Sequence, residues 1–273
     1  MVDETLTVGD FSVPTMGLGT WELEGKQCYD AVKTALDLGY RHIDTAQLYE
    51  NEWAVGRAIA DADVDREDVF VTTKINPMNR SARAMRESVD ASLDKLGLET
   101  VDLLLIHWPN PLADLETTMT TMSDLQVEEK TRHIGVSNFG VDRLEKAQEY
   151  AHVPIATDQV QFHPFYPQRE LLQYCQQNDV ALTAYSPLAQ GGVLRDDLLA
   201  EIGRRYDASP AQVAIRWAIQ HENVHAIPKS TSRDHLADNL DVFDFSLSRE
   251  EHDRITRPSM LKTGLATVRG RLG

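Results

Sequence analysis

The 273-residue sequence contains only two cysteines, Cys28 and Cys175, which lie far apart in the chain. They match no metal-binding spacing, and two isolated thiols are typical of proteins in the reducing cytoplasm. No run of about 18 apolar residues is present, so no membrane-spanning helix is predicted. The amino-terminal segment lacks the basic region and apolar stretch of a secretory signal peptide. We therefore expect a cytoplasmic protein.

Lysine is also scarce. The chain has 8 lysines and 19 arginines against 25 aspartates and 18 glutamates, and its formal net charge is −16. Nucleic acids and anionic membranes repel such a chain, so neither is expected as a partner. An Asp-rich, Lys-poor composition resembles that of proteins from salt-loaded cells. We therefore expect salt adaptation, although an ordinary acidic cytosolic enzyme has a similar charge.

The chain alternates between short apolar segments and segments of helical periodicity, without a linker or an internal repeat. The predicted strands cover residues 16–19, 42–44, 69–74, 101–107, 133–137, 156–159, 180–185 and 224–227. Ahead of them, two apolar runs flank a Gly9-Asp10 turn, which predicts an N-terminal β-hairpin. Eight strands alternating with helices predict an α/β fold, a single (β/α)8 TIM barrel, with one domain over residues 1–273.

Polar residues stand at the ends of three consecutive predicted strands, where barrel enzymes carry their catalytic groups. Asp44 ends the second strand, Tyr49 follows in its loop, Lys74 ends the third strand and His107 ends the fourth. A nearby ammonium lowers the pKa of a tyrosine from its free value of about 10. A buried lysine needs a counter-charge, and a histidine can hydrogen-bond a substrate oxygen. The set predicts a proton relay that protonates a carbonyl oxygen as hydride adds to the carbon.

Four long motifs in this chain resemble the signature blocks of the aldo-keto reductases, in the same order. They are GYRHIDTAQLYENEWAVGRAI at 39–59, LLLIHWPNP at 103–111, IGVSNF at 134–139 and IPKS at 227–230. Within that family, the chain resembles the prokaryotic members with short loops, of the 2,5-diketo-D-gluconate reductase type. The resemblance implies a catalytic tetrad of Tyr49, Lys74, Asp44 and His107, with Tyr49 as the general acid for reduction.

No GxGxxG loop follows a strand, so a Rossmann cofactor site is not indicated. The resemblance instead implies an extended nicotinamide cofactor across the barrel mouth. The implied cofactor site comprises Ser137, Asn138, Gln159, Tyr185, Ser186, Leu188, Lys229, Ser230, Thr231, Arg233, His235 and Asn239. Ser137, Asn138 and Gln159 would bind the carboxamide, and Tyr185 would stack on the ring. Asp158 stands where the family usually has asparagine, and strand alternation predicts that it faces away from the ring.

The adenosine end of this site departs from the family pattern. Lys229, Ser230 and Thr231 stand where the family binds the 2′-phosphate, but His235 replaces the arginine that usually pairs with it. Arg233 is a nearby substitute. The resemblance implies NADP(H) as the cofactor, and the loss of arginine implies that NAD(H) is used as well.

The substrate pocket is expected to be open, because the segment at 189–195 and the tail after Pro258 are short for this family. The implied apolar wall consists of Trp21, Tyr49, Ile75, Trp108 and Phe139. The partner is a small-molecule carbonyl substrate, and the family resemblance implies a monomer.

Two other functions compete with this interpretation. A metal-dependent barrel hydrolase would need clustered histidines or carboxylates at several strand ends, and the sequence offers no such cluster, so no metal is expected. A non-catalytic nicotinamide-binding sensor or regulatory subunit would be consistent with the cofactor motifs. The complete tetrad favours an enzyme instead.

Overall fold

The computed structural model describes residues 4–256, and the short tail after Pro258 lies outside them. The chain begins with an antiparallel hairpin of β1 (Thr5–Val8) and β2 (Phe11–Pro14), which confirms the predicted hairpin. Gly9 adopts φ +59° in the turn, a conformation that glycine tolerates without steric cost. Apolar residues of the hairpin pack against residues of the barrel strands.

Eight parallel strands follow the hairpin, in the order of the sequence. They are β3 (Leu18–Gly19), β4 (His42–Asp44), β5 (Phe70–Ile75), β6 (Val101–Ile106), β7 (Thr131–Ser137), β8 (Ile155–Gln161), β9 (Ala181–Tyr185) and β10 (Val224–Ala226). A parallel bridge between Met16 and Ala226 joins the first and last strands, so the sheet closes into a barrel. The predicted α/β barrel is confirmed, and the predicted strand ends differ from these by at most two residues.

Ten α-helices occur in the described part of the chain. They are α1 (Gly25–Asp37), α2 (Glu52–Ala60), α3 (Ala82–Leu96), α4 (Leu115–Val127), α5 (Val141–Tyr150), α6 (Arg169–Gln177), α7 (Asp197–Gly203), α8 (Pro210–Ile219), α9 (Arg233–Leu240) and α10 (Arg249–Thr256). Local signals set their ends: Ser209 and Gln212 form a capping box ahead of Pro210. No helix among these residues is long and apolar enough to cross a membrane.

The barrel interior contains a buried polar network as well as apolar side chains. His42 Nε2 lies 3.0 Å from Thr72 Oγ1, and His225 Nε2 lies 2.6 Å from Thr183 Oγ1. Thr183 Oγ1 in turn lies 2.8 Å from Thr157 Oγ1. Burial lowers the pKa of His225 to about 3 and holds the pKa of His42 well below its usual range. Both imidazoles are therefore neutral in the folded protein at neutral pH.

Candidate active site

The four predicted tetrad residues meet at the carboxyl end of the barrel. Asp44 is the last residue of β4, Lys74 lies in β5 and His107 directly follows β6. Tyr49 ends the 3₁₀ turn Gln47–Tyr49 in the loop after β4. The side chains of Lys74 and Asp44 are 0% and 2% exposed, so their interaction takes place away from solvent.

The Lys74 ammonium connects Asp44 to Tyr49. Lys74 Nζ donates to Asp44 Oδ1 at 2.5 Å and to the Thr45 carbonyl at 2.9 Å, and it lies 3.4 Å from Tyr49 Oη. Gln159 Nε2 donates to the second Asp44 oxygen at 2.7 Å. Because both Asp44 oxygens accept hydrogen bonds from donors, this geometry suits an ionised carboxylate.

Two effects set the pKa values of Asp44 and Lys74: burial disfavours their charged forms, and the attraction between the two charges favours them. Burial raises the pKa of Asp44, and the contacts from Lys74 and Gln159 oppose that rise. Burial alone would lower the pKa of Lys74, but the Asp44 charge and the Tyr49 hydroxyl reverse this, so its pKa is raised. The lysine therefore remains an ammonium at neutral pH.

The pKa of Tyr49 is set by burial and by the two neighbouring charges. Burial raises it, the Lys74 charge lowers it and the Asp44 charge raises it again, so the net shift is upward. The predicted lowering by Lys74 is present, but the desolvation of the buried phenol outweighs it. Tyr49 is thus a neutral phenol at neutral pH and has a proton to donate.

His107 lies beside Tyr49, and their ring centroids are 5.4 Å apart in an edge-to-face arrangement. Burial, assisted by the Lys74 charge, lowers the pKa of His107 to about 3. Its Nδ1 atom is buried and has no hydrogen-bond partner among the residues that the structure describes. A neutral imidazole carries one N–H, which His107 can donate to a substrate oxygen.

The side chains expected to bind the carboxamide are joined by a series of hydrogen bonds that ends at Gln159, and the Gln159 side chain in turn donates to Asp44. Tyr185 Oη donates to Asn138 Oδ1 at 2.9 Å, and Asn138 Nδ2 donates to Ser137 Oγ at 2.9 Å. Ser137 Oγ donates to the Gln159 carbonyl at 2.7 Å. Asn138 has φ +63°, an uncommon backbone state for a residue other than glycine. The positions of these groups are therefore mutually dependent.

A cavity of about 690 Å³ opens above these groups. The predicted residues that line it are Trp21, Asp44, Tyr49, His107, Trp108, Ser137, Asn138, Gln159, Tyr185, Ser186, Leu188 and Lys229. Further residues that were not predicted from the sequence also line it, among them Glu22, Leu48, Gln161 and Gln190. Glu22 directly follows the predicted Trp21, and that adjacency was the available signal.

Ile75 and Phe139, predicted as pocket walls, do not line this cavity. They are 1% and 3% exposed and border a separate narrow crevice beside Trp108. Ile75 follows Lys74 on the same strand, and successive strand residues point to opposite faces. The structure therefore brings only Trp21, Tyr49 and Trp108 of the predicted wall to the main cavity.

The residues expected at the adenosine end lie outside the cavity, with the exception of Lys229. Thr231, Arg233 and His235 are exposed, whereas Asn239 is 5% exposed and contacts the Tyr40 hydroxyl. Lys229 makes an ion pair with Glu22, with 2.8 Å between its Nζ and the carboxylate oxygen.

Asp158 is fully buried and does not line the cavity, as strand alternation predicts. The Phe139 backbone N–H donates to its Oδ1 at 3.4 Å, and Oδ2 has no partner among the described residues. Burial raises its pKa well above the usual range. A neutral aspartic acid nearly matches the shape of asparagine, which accounts for this substitution.

Known proteins resemble this chain in sequence and in structure. The sequence model of the aldo/keto reductase family matches residues 15–258. The methylglyoxal reductase DkgB of Escherichia coli O157:H7 is 40% identical over 247 residues, which cover 89% of this chain and 92% of that protein. The glyoxal reductase of Bacillus subtilis is 39% identical over 244 residues, which cover 89% and 88% of the two chains.

A solved structure described as a candidate 2,5-diketo-D-gluconic acid reductase B superimposes with a TM-score of 0.91 at 39% identity, and covers 93% of this chain and 90% of that one. Members of this family reduce small carbonyl compounds with NADPH or NADH. The chain belongs to the aldo/keto reductase family and is an oxidoreductase.

Proposed function

We propose that this enzyme reduces small aldehydes and α-dicarbonyls to alcohols, with Tyr49 as the general acid. The observation that carries the proposal is the buried Asp44–Lys74 pair, whose ammonium lies 3.4 Å from the Tyr49 hydroxyl at the base of the cavity. A proton donor beside a fixed cation suits a reaction in which negative charge develops on an oxygen.

The nicotinamide cofactor supplies the hydride when it is bound. His107 donates its N–H to the substrate oxygen and orients the carbonyl towards Tyr49. Tyr49 gives its proton to that oxygen as the alkoxide forms, and Lys74 stabilises the phenolate that remains. Asp44 keeps Lys74 positively charged in a buried position. In alcohol oxidation the same residues act in reverse, with Tyr49 as the base.

The cavity suits an extended cofactor. Its floor presents the polar side chains of Ser137, Asn138 and Gln159, and Tyr185 offers a flat ring for stacking. Ser186 and Leu188 line the same cavity. Beyond it, Ser230, Thr231, Arg233, His235 and Asn239 would receive the adenosine end. Lys229 would contact the 2′-phosphate, and with His235 in place of arginine we infer a modest preference for NADPH and measurable use of NADH.

The substrate class follows from the cavity walls and from the relatives. Trp21 and Trp108 are flat apolar surfaces at the mouth, and Trp21 is 45% exposed. The names of two relatives specify methylglyoxal and glyoxal as substrates. We infer that α-oxoaldehydes are preferred and that keto-sugars are also accepted. We also infer a single-domain, cytoplasmic monomer.

An initial-rate screen tests the proposal. NADPH and NADH are each supplied with methylglyoxal, glyoxal, a simple aldehyde and a keto-sugar, at low and at high KCl concentration. The proposal requires turnover of the α-oxoaldehydes with both cofactors and a higher kcat/KM with NADPH. Absence of carbonyl reduction with every substrate, despite tight NADPH binding, would contradict it.

A further inference from the structure

Lys229 is already engaged by an acidic side chain. Its Nζ lies 2.8 Å from Glu22 Oε2, and the two side chains are 38% and 58% exposed. The same ammonium lies 5.5 Å from the centroid of the Trp21 ring. Lys229 is the only lysine or arginine that lines the main cavity in the described residues. The one cation available to a cofactor phosphate there is therefore paired with a carboxylate of the same chain.

Buried contacts hold the turn that carries Glu22. Asn51, which is 1% exposed, donates from Nδ2 to the Thr20 carbonyl at 2.9 Å and to the Leu23 carbonyl at 2.8 Å. Thr20 Oγ1 donates to the Asp44 carbonyl at 2.9 Å. Glu22 itself has φ +61°, a backbone state that costs energy and persists only where the surroundings impose it. The turn thus holds Glu22 at the cavity edge independently of its partner.

Lys229 is held on the other side of the seam where the barrel closes. It follows Pro228, whose carbonyl accepts a hydrogen bond from the Gly19 N–H at 3.2 Å. The backbones that carry the two charges are thereby joined close to the ion pair. The lysine side chain is flexible and half-exposed, so its ammonium can move between two acceptors while its backbone stays in place.

We propose that Glu22 competes with the 2′-phosphate of the cofactor for Lys229 and thereby reduces the enzyme's preference for NADPH over NADH. The inference rests on the proposed function, in which Lys229 contacts this phosphate. A phosphate must either displace the Glu22 carboxylate or share the ammonium with it, and two neighbouring anions repel each other. NADH lacks the phosphate and binds without disturbing the pair.

The test measures dissociation constants by fluorescence titration, independently of turnover. Breaking an exposed ion pair changes an equilibrium constant by up to about fivefold, and removal of the neighbouring negative charge adds to this. For Glu22→Gln we therefore expect an NADPH Kd that is lower by about three- to tenfold, with the NADH Kd changed by less than about twofold.

Glu24→Gln is the matched control. It removes the same charge two positions away, and Glu24 forms no ion pair within residues 4–256. It should change the ratio of the two Kd values by less than about twofold, since it acts only on the general charge. A Glu24→Gln effect as large as that of Glu22→Gln would overturn the competition, because it would show that net charge alone is responsible.

Lys229→Met separates this inference from the proposed function. If Lys229→Met leaves the NADPH Kd unchanged, Lys229 does not contact the phosphate, and the proposed competition with Glu22 is wrong as well. If Lys229→Met weakens NADPH but Glu22→Gln does not change the Kd ratio, the competition alone is refuted. In the Lys229→Met background, we expect Glu22→Gln to change the NADPH Kd by less than about twofold, because the contested ammonium is gone and only the weaker repulsion by the Glu22 charge remains.

Discussion

The buried charge pair beneath Tyr49 makes a quantitative prediction for Asp44→Asn. The Asp44 and Lys74 side chains are 2% and 0% exposed, and their charged atoms are 2.5 Å apart. The substitution leaves the ammonium buried without its counter-charge. Removing one partner of such a pair typically costs about 3–5 kcal/mol of unfolding free energy. Because Asp44 no longer opposes the effect of burial, the pKa of Lys74 should also fall.

The exposed pair of Lys26 and Asp30 in α1 provides the control. Those side chains are 85% and 52% exposed, and Asp30→Asn should cost less than about 1 kcal/mol. Urea unfolding at neutral pH measures both variants, and the midpoints are comparable if the urea dependence is unchanged. A midpoint shift for Asp44→Asn that is no larger than for Asp30→Asn would refute the reasoning.

The double variant Asp44→Asn/Lys74→Met adds a second check, because it removes both charges. It should be more stable than the sum of the two single losses implies. Strict additivity would mean that the two charges are not coupled in the folded protein.

Three further predictions concern acid, salt and cofactor choice. His107 and His225 have a pKa of about 3 in the folded chain, against about 6.5 when unfolded, so the unfolded state binds more protons between these values. Stability should therefore fall as pH drops below about 6.5, by up to about 1.4 kcal/mol per pH unit for each histidine; a melting temperature that is unchanged between about pH 7 and about pH 5 would contradict this. Because self-repulsion of the net charge of −16 fades as salt screens it, the melting temperature should rise between roughly 0.1 M and 1 M KCl, and a flat or falling value would count against salt adaptation. His235→Arg should lower the Kd for NADPH by about tenfold and leave the Kd for NADH nearly unchanged. Equal NADPH affinity of the wild type and the variant, with NADH activity absent from both, would show that His235 is exposed and makes no contact with the cofactor.

The barrel and the convergence of the tetrad could be predicted because they depend on short-range sequence patterns. Strand alternation and the position of a polar residue at each strand end place Asp44, Lys74 and His107 at one mouth. The family motifs then specified which tyrosine joins them. Alternation also accounts for the outward direction of Asp158.

Other features depend on the folded environment and could not be predicted from the sequence. The pKa of Tyr49 rises because desolvation exceeds the effect of Lys74, and the extent of desolvation is a property of the whole cavity. Glu22 and Lys229 are separated by 207 positions, and only closure of the barrel brings them into contact. Phe139 was expected in the apolar wall of the pocket, but packing places it against a different crevice.

Turnover of the Tyr49→Phe variant tests the central claim most directly. The substitution removes only the hydroxyl, so NADPH should bind with a Kd within about twofold of the wild-type value, while kcat for methylglyoxal reduction should fall by at least about 100-fold. Tyr29→Phe is the matched control, because the Tyr29 hydroxyl donates a hydrogen bond to the Asp61 carboxylate on the surface and does not line the cavity. Its kcat should match the wild-type value. Retention of more than about a tenth of wild-type turnover by Tyr49→Phe would contradict the assignment of Tyr49 as the general acid.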